Sequence, residues 1–296
     1  INFIRILQMM TTAIWITLII LSIFFIYVLS KDVIKHQKVL ENVSVVKTAL
    51  IGFVVNFFDV LGIGAFAPQT ALLKFTKQTE DRVLPGTLNV SNTIPVLIQA
   101  LIFIQIVEVE AITLISMLLS AAAGAILGAG IVAKLPVRKI QLTMGFALLV
   151  TAFFMLSGQM SWIQGGGEAI GLTGGKLALA IGANFILGAF MTVGIGLYAP
   201  CMALVYALGM SPLVAFPIMM GSCAFLMPPA SAKFIKEGAY NRKASVSMAI
   251  PGIIAVLIAA FLVKSLPLNT LRWVVIVVII YTSLVMFKSA LNNRIK

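Results

Sequence analysis

At least six stretches of this chain are apolar for long enough to cross about 30 Å of hydrocarbon. The first runs from Thr11 to Ser30 without a single charge. No other feature limits the fold as strongly, because a segment of this kind is stable only with lipid, not water, as its solvent. Only 10% of the 296 residues are charged and 61% are hydrophobic, against about 25% charged in an ordinary soluble protein. Mean hydropathy is +1.11. Soluble enzymes, secreted disulfide scaffolds and disordered chains are excluded. The chain opens on Ile1 without an initiator Met, and no small-x-small cleavage step follows the first apolar run. That run is therefore expected to be a retained span and not a signal peptide.

The basic excess, 21 Lys and Arg over 9 Asp and Glu, gives a net charge of +12. These cations sit in short gaps between apolar runs and form no aromatic-interleaved surface, so they read as topology signals and nucleic acid is not an expected partner. Chemistry is sparse. The lone histidine, His36, lies in the charged stretch Lys31 to Lys47, and the two cysteines, Cys201 and Cys223, lie in apolar sequence. No metal cluster, disulfide framework or phosphate-binding loop is legible, and neither a cofactor nor an enzymatic activity is expected.

The sequence also matches itself. At an offset of 132, Phe53 pairs with Phe185, Phe58 with Phe190, Gly62-Ile63-Gly64 with Gly194-Ile195-Gly196, Ala67-Pro68 with Ala199-Pro200, Ala71-Leu72 with Ala203-Leu204 and Pro85 with Pro217. Those are ten identities in 33 positions, with Ser91 opposite Cys223 just beyond. At offset 131, Leu135-Pro136 matches Leu266-Pro267. The expected organisation is an N-terminal transmembrane helix and basic linker over 1–44, a first repeat over 45–157, a Gly-rich linker over 158–175 and a second repeat over 176–296.

Each repeat begins with an apolar helix (about 45–61, then 177–193) that runs into Gly-x-Gly-x-x-Ala-Pro, where continuous helix is disfavoured. A short arm follows (about 68–77, then 200–209), too short to span at about 1.5 Å per residue. Three longer segments come next: about 84–107, 111–133 and 138–157, then 213–236, 244–264 and 269–288. If the broken helix and its arm form a hairpin, three crossings remain per repeat and the halves are inverted. Then Lys31, Lys35, Lys38, Lys47, Lys74, Lys77, Arg82, Lys134, Arg138, Lys139, Lys233, Lys236, Arg242, Lys243, Lys288, Arg294 and Lys296 share the cytoplasmic side. That is 17 of 21, leaving Arg5, Lys176, Lys264 and Arg272 outside; four crossings per repeat divide the cations 12 to 9. The positive-inside rule selects the first arrangement, which also puts Trp15, Trp162 and Trp273 near the outer interface. The expected fold is an all-α integral membrane protein of two inverted repeats, each a re-entrant broken-helix hairpin plus three transmembrane helices, with one extra N-terminal transmembrane helix. It has seven full spans, an outside N-terminus and a cytoplasmic C-terminus.

Broken helices at matching positions of inverted repeats point to a secondary transporter with its site at the midplane, because free backbone groups are tolerated there only where they line a cavity. Pro68 and Pro200 are each suited to the first helical position. The two arms would aim N-terminal dipole ends at one point, which favours an anion. The candidate substrate-binding residues are Gly62, Gly64, Pro68, Asn89, Ser91, Asn92, Gly194, Gly196, Tyr198, Pro200, Cys201, Ser222 and Cys223, with the neighbouring Thr87 and Thr93 in the same polar patch. Their hydroxyl and amide donors suit oxyanion oxygens. The same glycines also allow close helix packing, and the same polar groups can tie helices together. Asp59, the one acid deep in an apolar stretch, is the proton-coupling candidate or a carboxylate that caps the broken backbone. Its counterpart is Met191. Lys233 and Lys236 either draw anions to an inner mouth or anchor a helix end.

The paired segments Gly62-Ile63-Gly64-Ala65-Phe66-Ala67-Pro68 and Gly194-Ile195-Gly196-Leu197-Tyr198-Ala199-Pro200 resemble the repeated glycine-rich signature of the TauE/SafE family of sulfite exporters and sulfonate permeases. So do Gly86-Thr87 after Pro85 and the two Leu-Pro steps. The resemblance covers about 45–290. It implies a carrier of the bacterial or archaeal cytoplasmic membrane for sulfite, thiosulfate or an organosulfonate. Protons acting through Asp59 are the candidate coupling partner, and a homo-oligomer is compatible with the sequence. The second half departs from the pattern, with Ile218-Met219 in place of Gly-Thr. An anion channel, a proton-coupled carboxylate carrier, a cation carrier built on Asp59 and an intramembrane enzyme are the alternatives, the last disfavoured by the absence of paired catalytic groups.

Overall fold

The computed structural model describes residues 2–162, 167–262 and 268–293, apart from the side chains of 2–11, 106, 212, 262, 268–272 and 274. Lys264, the Leu266-Pro267 step, Arg294 and Lys296, with the side chains of Arg5 and Arg272, fall outside this description. The described chain is helical: α1 (Asn2–Lys35), α2 (Val45–Val60), α3 (Phe66–Phe75), α4 (Leu84–Ile106), α5 (Ala111–Val132), α6 (Val137–Gln159), α7 (Gly174–Met191), α8 (Tyr198–Ala207), α9 (Ala215–Lys236), α10 (Arg242–Leu262) and α11 (Leu268–Asn292). Among the described residues, eight helices are long and apolar enough to cross a membrane. The sequence predicts seven; the eighth is α7, which at 18 residues and about 27 Å is only just long enough. Its counterpart α2, with 16 residues and about 24 Å, is not.

The boundaries follow local chemistry. Ser44 caps α2 by accepting the Lys47 amide hydrogen, and Glu110 caps α5 by accepting that of Thr113. Pro95, Pro228-Pro229 and Pro251 lie inside α4, α9 and α10, as membrane-spanning helices tolerate.

Packing exchanges the two halves. Helix α2 lies against α10 and α7 against α5; α4 packs on α10 and α9 on α5; α3 touches α11 and α8 touches α6; α4 meets α9, and α6 meets α11. Swapping the halves maps this set of pairs onto itself. α4 and α9 are the most buried of the eight, and large apolar side chains such as Ile20, Leu127, Phe146, Ile186 and Val277 cover the outside. The closest approaches use glycine. A Cβ on Gly52 would stand 2.3 Å from the Met248 carbonyl oxygen of α10, and one on Gly188 would stand 2.1 Å from that of Ala121 on α5. Without hydrophobic drive between helices in lipid, backbone contact of this kind supplies the dispersion that holds them together.

Polar contacts gather at two ends. At one, the Ser44 amide donates to Gln78 Oε1 at 2.8 Å, Arg242 Nε to Asp32 Oδ2 at 2.7 Å, Gln141 Nε2 to Asp81 Oδ2 at 2.7 Å and Asn293 Nδ2 to Gln141 Oε1 at 2.9 Å. The start of α2 and the chain just past α3 thus lie side by side. At the other end, Glu110 N donates to Ile170 O, Ser211 N to Ala169 O and Lys176 Nζ to Leu208 O at 3.2 Å. The start of α7 and the end of α8 meet there.

Candidate functional site

The backbone at each break is closed in the same way. In the first, Gly62 N donates to Asp59 O at 3.0 Å and Ile63 N to Phe58 O at 3.3 Å; in the second, Gly194 N donates to Met191 O at 3.0 Å and Ile195 N to Phe190 O at 3.4 Å. These bonds satisfy the last carbonyls of α2 and α7. The required turns have φ of +82° at Gly62, +87° at Gly64 and +112° at Gly194, a region that side chains disfavour. The arms begin two residues earlier than the sequence predicts, so Pro68 and Pro200 are third, not first, in α3 and α8. The physical role is unchanged, since the first four helical amides have no intrahelical partner. Neither arm has a side-chain cap at its N-terminus.

Both uncapped ends border one small cavity of about 20 Å³. It is lined by Asp59, Gly64, Ala65, Phe66, Val96, Met191, Gly196, Leu197, Tyr198 and Cys223. The internal repeat runs through it: Met191 occupies the position of Asp59, Gly196 that of Gly64 and Tyr198 that of Phe66. The volume admits about one water molecule.

Asp59 is 2% exposed and surrounded by donors. Gln99 Nε2 donates to Asp59 Oδ2 at 2.7 Å, the Tyr198 hydroxyl lies 3.3 Å from the same oxygen and 2.9 Å from Gln99 Oε1, and the Ala65 amide donates to the carboxylate. No cation pairs with Asp59 among the described residues. On the Met191 side, Cys223 Sγ donates to Met191 Sδ at 3.5 Å.

Of the residues nominated from sequence, Asp59, Gly64, Gly196, Tyr198 and Cys223 meet at the cavity, while Gly62, Gly194 and Pro68 belong to the adjoining breaks and are not in its lining. The others are displaced from it. Asn92 Nδ2 donates to Gln69 Oε1 and Gln69 Nε2 to Ser91 Oγ at 2.9 Å, while Asn56 Nδ2 donates to Asn92 Oδ1 at 3.0 Å. Ser91 and Asn92 therefore tie α4 to α2 and α3. Asn89 donates to its own helix at Pro85 O, and Ser222 accepts from Asn184 Nδ2 at 2.9 Å, joining α9 to α7. Thr87 accepts the Asn241 amide hydrogen, and Thr93 shares a hydrogen bond with Ser231. Pro200 faces the other way, into an apolar groove of about 440 Å³ between α6, α7 and α8, and Cys201 is a buried free thiol outside the cavity lining.

Gln99 is the residue that sequence reading missed. It is the one polar residue inside the run 94–104, and this isolation was its one available signal. At the basic end, a vestibule of about 850 Å³ includes Lys74, Lys77, Arg82 and Arg242 in its lining, with Lys74 bound to Asp81 and Arg242 to Asp32 and Glu41. Lys233 and Lys236 are exposed and do not line it. No family model, curated protein or solved structure matches the chain.

Proposed function

We propose that this multi-pass membrane protein is a secondary carrier for a small sulfur oxyanion, namely sulfite, thiosulfate or an organosulfonate, working by alternating access between two inverted repeats in the cytoplasmic membrane. The observation that carries the reading is the convergence of two uncapped helix N-termini, one from each half, on a single small cavity. Such ends favour negative charge, and irregular backbone at this depth is the usual location of a carrier's site. The contacts of Ser44 with Gln78 and of Lys176 with Leu208 support two re-entrant hairpins that open at opposite ends. With Asn293 and the cations at one end, the positive-inside rule assigns that end and the C-terminus to the cytoplasm. The substrate class comes from the glycine-rich signature.

An oxyanion of four or five heavy atoms needs several times the volume of the cavity. The conformation described is thus one closed to an anion of that size. Direction matters energetically, because each negative charge leaving a cell that is negative inside gains about 2.3 kcal/mol per 100 mV. Export runs downhill unaided, whereas uptake requires a coupled ion.

Two experiments test this. In proteoliposomes, flux of thiosulfate or a short sulfonate is expected to saturate and to be stimulated by anion on the far side; unsaturable flux without that stimulation would mean a channel, and flux of carboxylates alone would refute the sulfur assignment. Single cysteines at Lys38 and Lys77, which bracket the first hairpin, are expected to react with an impermeant maleimide from one side, and those at Thr173 and Leu213 from the other. Native Cys201 and Cys223 are buried and give little background. Labelling of Lys38→Cys and Lys77→Cys from opposite sides would turn the hairpin into a crossing.

A further inference from the structure

Asp59 has an internal control. Met191 stands at the matching place in the second half, and the break that follows it is closed by the same two backbone bonds. The carboxylate is therefore not needed to build a broken helix. Burying a carboxylate with no cation beside it is costly, and here it is done in the cavity where both arms end. The groups that accommodate it, the Gln99 amide N–H, the Tyr198 hydroxyl and the Ala65 backbone N–H, are the donors that an oxyanion at this point would use.

Resting on the carrier reading above, we infer that Asp59 in its ionised form is a tethered stand-in for the transported anion: it occupies the oxyanion-binding donors of the empty carrier and gives them up to substrate only when it takes a proton. The cavity beside the carboxylate admits about one water and leaves no space for an oxyanion while Asp59 holds these donors. When a proton from solvent binds an Asp59 oxygen, the side chain becomes neutral and the donors of Gln99, Tyr198 and Ala65 turn to substrate oxygen. One proton and one anion then move together, and the empty carrier remains closed around its own carboxylate. The other titratable groups facing Asp59 are Tyr198 on α8 and Cys223 on α9; α3, α4, α7 and α10 present none to it among the described residues.

The test measures binding of thiosulfate and methanesulfonate, which keep their charge between pH 5 and 8, to the purified full chain by titration calorimetry. For the wild type, affinity is expected to fall by about tenfold per pH unit on the alkaline side, with one proton taken up per anion bound, read from buffers of different ionisation enthalpy. Asp59→Asn, which keeps the shape without the charge, is expected to bind with a pH-independent affinity at least about tenfold tighter than wild type at pH 8. Adding Tyr198→Phe to that variant removes a donor and should weaken binding about tenfold. Wild-type binding without pH dependence or proton uptake overturns the inference and leaves the carrier reading standing. So does an Asp59→Asn protein that melts like wild type yet binds no anion. If neither protein binds any sulfur anion or carboxylate at any pH, the carrier reading falls as well.

Discussion

The packing of α7 on α5 makes a quantitative prediction. A Cβ added at Gly188 would lie 2.1 Å from the Ala121 carbonyl oxygen and 2.8 Å from the Ala121 carbonyl carbon and Cα, whereas ordinary contact begins at 3.4 Å. The obstacle is backbone, so no side chain can rotate away, and the helices must part by more than about 1 Å locally. On the same face of α5, a Cβ at Gly124 would stand 2.0 Å from Phe185 O, which leaves no slack for α7 to tilt instead. Overpacking of this kind costs about 1–3 kcal/mol. Gly182→Ala, in the same helix with nothing within 4 Å of its Cβ, should gain about 0.5–1 kcal/mol from helix propensity. The two variants should therefore differ by about 1.5–4 kcal/mol. A thiol-reactive dye reads the melt directly, because the buried Cys201 and Cys223 react only on unfolding. At roughly 2–4 °C per kcal/mol, Gly188→Ala should melt at least several degrees below Gly182→Ala. Equal melting temperatures would refute the backbone contact, and with it the exchange of helices that brings the two breaks to one cavity.

The two matching glycines should respond differently to alanine. Gly64 has φ +87°, so Gly64→Ala incurs about 1–2 kcal/mol of backbone strain, while Gly196 does not adopt positive φ and Gly196→Ala should melt like wild type. Equal loss in both would contradict the turn geometry. Tyr240, between α9 and α10, is raised above the usual phenol range, first by burial and then by its 2.7 Å hydrogen bond to Asp32. The unfolded chain therefore loses that proton first, so Tyr240 contributes stability that is fully present below about pH 10 and is lost as pH rises past it. Tyr240→Phe should lose melting temperature less steeply than wild type above that pH, and parallel profiles would count against the raised value.

Helix limits and the breaks were legible because lipid forces each segment to satisfy its own backbone groups. An apolar run that ends at Gly62 or Gly194 therefore carries its structure in its own residues. Site membership was far less legible. Asn89, Ser91, Asn92 and Ser222 have the right chemistry, but their directions are set by neighbours: Gln69 and Asn56 claim Asn92, and Asn184 claims Ser222. Gln99 was overlooked since a polar residue within the apolar second half of α4 does not reveal which helix it will face.

What the sequence determined by itself was local: apolar length, the doubled Gly-Ile-Gly with its proline, and the asymmetry between Asp59 and Met191. Tertiary structure alone decided that α2 packs on α10 and α7 on α5, and hence that Asp59, Gln99 and Tyr198, from three helices in two halves, share hydrogen bonds. The reason is physical. In lipid every helix is equally soluble alone, so the choice of partner rests on close-range fit at glycines such as Gly52 and Gly188, whose partners lie far away in sequence.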